Sequence, residues 1–325
     1  MSNAIVRQTG DGSVVADNIW QFRLGAVPLV LGLVAGASAA LLAARALGRA
    51  RRAPDGPPPT SPPTPRSWPV VFAHRGGRYL VPEDTVEGFA ETLRRFGDVV
   101  LELDVHATAD GVVVVLHDDT VDRTTDGTGA VAEMTLAELQ ELDAGYRFSP
   151  DGRNFPWRGR GVRVPTLAEV YRQFPGRPVN VEVKGGRSGI EEAVWRVVEA
   201  AGAADRTLVV TTSGAAIRRF RRASGNRVAT AASVGEFVLY RALGVIGLAD
   251  LQNRRFQALQ PPDTWRGVRV TTPGLVRRAH DDGLRVDVWT VDEEADVRRL
   301  LGWGVDGIMT DRPDVLARVL GRVPA

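Results

Sequence analysis

Two short charged pairs stand inside apolar runs: Glu102-Leu103-Asp104 in VVLELDV and Glu182-Val183-Lys184 in VNVEVK. Side chains alternate across a strand, so both members of each i, i+2 pair project from one face. His74, followed by Arg75-Gly76-Gly77, ends the run VVFA; His117, followed by Asp118, ends VVVVL; Trp289-Thr290 ends RVDVWT. If these runs are strands of one barrel, their carboxyl ends converge on a single mouth, where barrel enzymes keep their active sites. Three carboxylates crowded there repel one another, and a divalent cation is the natural compensation. All-oxygen donors select a hard ion, Mg2+ or Ca2+. A cation flanked by Arg75 and Lys184 suits a phosphate ester, and two imidazoles supply one base and one acid.

The elements that must position these groups are read from pattern. Strands are expected at 70–73, 99–105, 112–116, 179–184, 207–211, 227–231, 285–290 and 306–310. Several are apolar nearly throughout, as parallel strands covered on both faces are. Capping boxes are expected to open helices at Asp84/Glu87, Thr135/Glu138, Thr166/Glu169 and Ser188/Glu191. Eight strands with interleaved helices over about 250 residues predict a (β/α)8 TIM barrel. Runs 99–105 and 112–116 leave no room for a helix between them, so the second crossover is expected to be abbreviated.

The barrel domain is expected over residues 69–321. Before it, residues 1–23 form a tail, and residues 24–44 contain no charge, long enough as a helix to cross a bilayer core of about 30 Å. This predicts one transmembrane helix. Arg45, Arg49, Arg51 and Arg52 follow it, which places the carboxyl-terminal side in the cytoplasm by the positive-inside rule. Residues 45–68 are a basic, proline-rich linker; eight of the seventeen residues 53–69 are proline, a composition that favours extended spacers. Residues 1–68 hold seven Arg against three Asp, leaving 34 basic and 36 acidic residues in the remainder, so the folded part is no polycation and nucleic acid is not an expected partner. No protein partner is predicted. Cysteine is absent, which removes disulfides, thiolate metal sites and cysteine nucleophiles.

The blocks His74-Arg75-Gly76, Pro82-Glu83-Asp84-Thr85, Glu102-x-Asp104, 111–118, Arg123 through Gly129, Val164-Pro165-Thr166-Leu167, Glu182-x-Lys184, Trp289-Thr290-Val291 and Gly304 through Pro313 resemble the glycerophosphodiester phosphodiesterase family in order and spacing. The resemblance implies a TIM barrel that releases sn-glycerol 3-phosphate and an alcohol. It makes His74 and His117 the acid/base pair, Glu102, Asp104 and Glu182 the ligands of Mg2+ or Ca2+, Arg75 and Lys184 the phosphate contacts, and Trp289 an apolar floor for glycerol or lipid. The family commonly carries Asn where this chain has Asp84, which adds negative charge near the mouth. Segment 164–184, with Asn180 before Glu182, resembles lysophospholipase D-type members, so a lysophospholipid is the alternative substrate and the bilayer an expected partner. A catalytically silent, membrane-held barrel that binds phospholipid headgroups is the rival from another class.

Other residues carry plainer readings. His106 shares a face with Asp104 and is expected to be structural; His280 is expected on a solvated helix surface. Asp118 and Asp119 either orient His117 or cap the next loop. Arg123–Gly129 reads as a scaffold turn. The aromatic and basic loop 153–163 is solvated by default, though it also suits anionic headgroups. Of 41 basic residues only Lys184 is lysine, which suggests a place where a compact ammonium fits and a guanidinium does not.

Overall fold

The computed structural model describes residues 69–184, 189–245, 252 and 254–322. Eight parallel strands form the central sheet: β1 (Val70–Ala73), β2 (Val100–Ala107), β4 (Val179–Val183), β5 (Thr207–Val210), β6 (Ala229–Thr230), β7 (Ala258–Leu259), β10 (Arg285–Val288) and β11 (Gly307–Thr310). Their order is β6-β5-β4-β2-β1-β11-β10-β7, and β8 (Thr264–Trp265) and β9 (Val268–Arg269) form a separate antiparallel pair. A parallel bridge between Ala231 and Ala258 joins the two edges, so the sheet nearly closes on itself as a TIM-type barrel. Parallel neighbours require helical crossovers, and these use α1 (Val86–Phe96), α2 (Leu136–Gln140), α3 (Leu167–Gln173), α4 (Ile190–Ala200), α5 (Gly214–Ala223), α6 (Val234–Val245), α7 (Pro273–Asp281) and α8 (Glu294–Gly302), while α9 (Pro313–Val319) follows the last strand.

The helices start where side-chain oxygens relieve their first N–H groups. Thr135/Glu138 and Thr166/Glu169 form full capping boxes, while Pro273 and Pro313 open α7 and α9. Asp84 does not cap α1: Thr85 does, its hydroxyl accepting from Gly88 N–H at 3.0 Å. The reason is that Asp84 sits at φ 56°, a left-handed turn residue just before the helix. Ser188 lies outside the described residues; Gly189 precedes α4. The barrel wall packs against the helices through Leu101, Leu103, Val181, Val194 and Phe220 on one side, and Val286, Val288, Val297, Leu300 and Ile308 on the other.

Two expectations about strands need correction. Run 112–116 is not a barrel strand: β3 (Val113–Val115) folds back antiparallel on β2, pairing Val105 with Val115 and Ala107 with Val113. A five-residue connection suffices for a hairpin and is too short for a parallel crossover. The second crossover is therefore not abbreviated. It runs from β2 to β4 through β3, α2 and α3, and Val114, Leu116, Val121, Leu139 and Val164 give it a small core of its own. The eighth barrel strand is β7, two residues long like β6 but set between Gln257 and Gln260, which interrupt the apolar run.

The expected single-pass membrane location, with a cytoplasmic barrel, is also corrected. Among the described residues no helix is long and apolar enough to cross a membrane. The longest of them, α6, has 12 residues and rises about 18 Å, well short of a bilayer core of about 30 Å. Residues 24–44, which carried that expectation, lie outside the described residues.

Candidate active site

The barrel's carboxyl-terminal end is built by alternation. In β2 the odd residues Leu101 and Leu103 pack into the outer core, so Glu102 and Asp104 point inward with Val100, which packs in the barrel interior. Register pairs Asp104 with Glu182 of β4, so carboxylates from adjacent strands face each other. Oxygens of Glu102, Asp104 and Glu182 lie within 4.8 Å of one another, a spacing that a single cation can bridge. Lys184, at the end of β4, puts Nζ 2.8 Å from Asp104 Oδ1 and 3.0 Å from Glu182 Oε2.

Arg75 reaches the same cluster from β1. The chain turns sharply there, with Arg75, Gly76 and Gly77 all at positive φ, and a non-glycine residue in that region is a strained feature typical of functional sites. The turn aims Arg75 N–H at Glu102 Oε2 (2.9 Å). Its side chain lies 3.3 Å from Asp104 Oδ2 and 3.1 Å from Glu83 Oε1. The Asp104 contact is ionic only: both atoms are buried without hydrogen-bond partners. A buried carboxylate oxygen left this way is what a hard cation needs, and the all-oxygen donor set fits a divalent ion.

Each histidine is held from behind. His74 Nδ1 lies 2.6 Å from Asp311 Oδ1, and His117 Nδ1 lies 2.5 Å from Asp118 Oδ1. His74 Nε2 is 3.9 Å from Glu102 Oε2, against the carboxylate cluster. His117 arrives by the hairpin: Leu116 N–H donates to the Asp104 carbonyl at 3.0 Å, setting the next residue level with the top of β2. His106 is buried, with Nε2 3.1 Å from the His117 carbonyl, and so supports that residue's backbone as expected of a structural histidine. His280 pairs with Asp306 at 2.8 Å on the exposed face of α7. Trp289 directly follows β10 and packs on the interior cluster of Val70, Phe72, Val100 and Met309, its indole N–H donating to the Gln260 carbonyl. In loop 153–163, Arg158 stacks 4.1 Å from the Tyr146 ring and 3.8 Å from that of Phe155, so its charge serves the loop's own packing.

Electrostatics separate the carboxylates. Burial, reinforced by Asp104, pushes Glu102 up to about 7, against the pull of His74 and the Arg75 N–H. Asp104 is buried as well, yet Lys184 and then His117 and Arg75 hold it far below the usual carboxylate range. Burial works against the charge of Lys184, but Asp104 and Glu182 overcome it and raise its affinity for a proton. Burial would lower His74; Glu102 and Asp311 outweigh it and raise it. Asp84 is buried, with both carboxylate oxygens lacking a hydrogen-bond partner, and burial together with Asp104 and Glu83 raises it well above the ordinary value.

All eight residues expected from the sequence thus lie at this end of the barrel, seven of them in or beside the charged cluster and Trp289 on the interior apolar wall. Sequence reading gave no role to Asp311, Arg78 or Glu83, and left Asp118 open. The signal for Asp311 was available: it directly follows a barrel strand, in alternation with the inward Met309.

A barrel mouth with an acidic trio, two oriented imidazoles and two cationic arms has the equipment of a phosphodiesterase: charge to neutralise a phosphate and two groups to move protons. Comparison with known proteins gives the particular kind. The chain belongs to the glycerophosphoryl diester phosphodiesterase family, whose model matches residues 74–315, and its members are phosphoric diester hydrolases. It is 33% identical over 258 residues to a glycerophosphodiester phosphodiesterase of Caldanaerobacter subterraneus, covering 77% of this chain and 97% of that protein. It is 24% identical to a lysophospholipase D of Rattus norvegicus, covering 78% and 87% respectively. Among solved structures it resembles an Oleispira antarctica phosphodiesterase in complex with the product sn-glycerol-3-phosphate: 25% identical, TM-score 0.63, covering 78% of this chain and 97% of the other.

Proposed function

We propose that this chain hydrolyses glycerophosphodiesters to sn-glycerol 3-phosphate and an alcohol, with His74 and His117 as the acid/base pair. The observation that carries this reading is the arrival of both imidazoles, each fixed through Nδ1 by an aspartate, at one carboxylate cluster. Engaging Nδ1 leaves Nε2 of each ring for proton transfer. One ring takes a proton from the attacking hydroxyl, that of water or, by way of a cyclic phosphate that water then opens, that of the neighbouring glycerol carbon. The other protonates the departing alkoxide oxygen. Arg75 and Lys184 bind the phosphate oxygens and offset the charge that builds on them. Trp289 gives the glycerol or lipid portion an apolar wall. Glu102, Asp104 and Glu182 hold Mg2+ or Ca2+, which when bound supplies Lewis-acid polarisation of the phosphate. The test is product release from glycerophosphocholine by residues 69–325, with and without chelator. Release of glycerol 3-phosphate that chelator abolishes and Mg2+ or Ca2+ restores is expected; unaltered turnover in chelator overturns the metal assignment.

A second substrate reading, cleavage of lysophospholipids to lysophosphatidic acid, is supported by the lysophospholipase D relative and by the likeness of segment 164–184, Asn180 included, to lysophospholipase D-type members. Comparing kcat/KM for glycerophosphocholine and lysophosphatidylcholine separates the two. Activity on glycerophosphocholine alone removes the second reading.

A further inference from the structure

The turn 118–130, which reads as scaffold in the sequence, carries a side chain that connects both arms of the site. Arg123 donates Nε to Asp118 Oδ2 at 2.6 Å and Nη2 to Asp118 Oδ1 at 3.1 Å. The same guanidinium donates Nη1 to Glu83 Oε2 at 2.8 Å and Nη2 to Glu83 Oε1 at 2.7 Å. Asp118 is the residue that holds His117 Nδ1, and Glu83 accepts from Arg75 Nη1 at 3.1 Å. The chain Arg75–Glu83–Arg123–Asp118–His117 is therefore continuous. We propose that Arg123 is a positioning residue of the reaction: it sets the ring of His117 through Asp118 and, through Glu83, the guanidinium of Arg75 that faces the phosphate.

Three further observations support this. First, the fork of five donors in one plane lets an arginine bridge two carboxylates at a fixed separation, which an ammonium cannot do. Second, the backbone that presents Arg123 is rigid. Val121 and Thr125 on either side are fully buried, and Thr125 donates both N–H and hydroxyl to the Val121 carbonyl. Third, the same device recurs behind the other histidine, built from different elements. Arg78 Nε donates to Asp311 Oδ2 at 2.6 Å, and Asp311 Oδ1 faces His74 Nδ1. An ordinary surface ion pair has no reason to be repeated with matching atoms behind both imidazoles. Arg123 is about 40% exposed, so its ion pairs contribute little to stability, and its effect is expected on turnover.

The inference rests on the acid/base reading of His117, and the experiment keeps the two apart. Arg123→Met, Arg123→Lys, Asp118→Asn, the double variant Arg123→Met/Asp118→Asn and His117→Ala are compared with the wild type for kcat and KM on glycerophosphocholine at saturating divalent cation. Loss of a group that orients another typically costs about 10–100-fold in activity. Arg123→Met is expected to lower kcat by that amount, with a smaller rise in KM through the Glu83–Arg75 arm, and Arg123→Lys to fall between it and the wild type. If Arg123 acts through Asp118, the double variant is about as slow as the worse single one, because coupled residues do not add. Wild-type kcat in Arg123→Met, with or without a raised KM, or losses that multiply in the double variant overturn the inference. Should Arg123→Met not fold by circular dichroism, wild-type kcat in both Arg123→Lys and Asp118→Asn overturns it equally. Full activity in His117→Ala instead defeats the acid/base reading itself.

Discussion

Asp311 and His74 stand 237 positions apart in the chain, yet Oδ1 of one lies 2.6 Å from Nδ1 of the other. They meet because β1 and β11 pair in parallel with Ala73 opposite Thr310, so the residues that follow are neighbours on the rim. The first and last barrel strands thereby build one half of the acid/base machinery. Asp311 is fixed in turn: its N–H donates to Asp292 and its second oxygen accepts from Arg78. Asp311→Asn keeps the shape but removes the charge that selects the ring's tautomer. A fall in kcat of about 10–100-fold with an unchanged melting temperature is expected. Unchanged kcat would sink the orienting role.

The histidines are predicted to matter more than anything behind them. His74→Ala and His117→Ala each remove a proton-transfer group, a loss of roughly 10²–10⁴-fold. Glu182→Ala is expected to abolish turnover by removing a cation ligand. Circular dichroism should show all three folded; near-normal activity in any one removes that residue from the mechanism.

Glu102 links pH to cation binding. Burial and Asp104 raise it to about 7, so below that pH the folded site holds a proton where a ligand must be. Cation affinity measured by calorimetry is expected to rise by up to about tenfold per pH unit below 7 and to level off above it. In the metal-free protein the sign is opposite for stability. The folded form binds the proton more tightly than the unfolded form, so this contribution is present at low pH and lost as pH rises from about 4.5 through 7. An affinity that does not change between pH 5.5 and 8 contradicts the assignment.

Asp84 is a stability defect at neutral pH by the same reasoning. Its carboxylate is buried without hydrogen-bond partners, and its raised proton affinity, caused first by burial and then by Asp104 and Glu83, favours the fold only at low pH. Asn tolerates the left-handed φ of 56° and carries no charge. Asp84→Asn is expected to stabilise the metal-free protein by about 1 kcal/mol or more at pH 8, with a gain that shrinks towards pH 4. Denaturant melts at both pH values decide it, and a gain independent of pH counts against burial of the charge as the cause.

Gly88 keeps the Glu83–Asp84 turn close to α1. A Cβ there would overlap the Pro82 carbonyl oxygen, which is backbone and cannot swing aside. Gly88→Ala is therefore predicted to destabilise by about 1–3 kcal/mol despite alanine's better helix propensity. It should also lower kcat, because Glu83 moves with the turn. A stabilised variant in thermal melts would show that the turn yields.

The barrel class and the inward set Glu102, Asp104, Glu182 and Lys184 were legible in the sequence because they depend on local rules. Apolar runs give strands, alternation gives a shared face, and the Thr135 and Thr166 boxes give helix starts. Reading failed where the local signal was ambiguous or faint. Run 112–116 has the composition of a barrel strand, and only its pairing partner shows it to be a returning hairpin. Around β7, Gln257 and Gln260 flank Ala258-Leu259 and leave no apolar run to read. Residues 24–44 rested on composition alone, and the helices among the described residues are all too short to span a bilayer.

By itself the sequence determined which side chains could share a face and which chemistry such a set could support, since both follow from spacing of a few residues. Only the tertiary structure decided who holds whom. Asp311 belongs to His74, Asp118 to His117, and Arg123 joins Asp118 to Glu83, because closure of the barrel and the fold-back of β3 bring distant rims within hydrogen-bond range. Such contacts depend on ångström distances between strands far apart in the chain, and no local pattern encodes them.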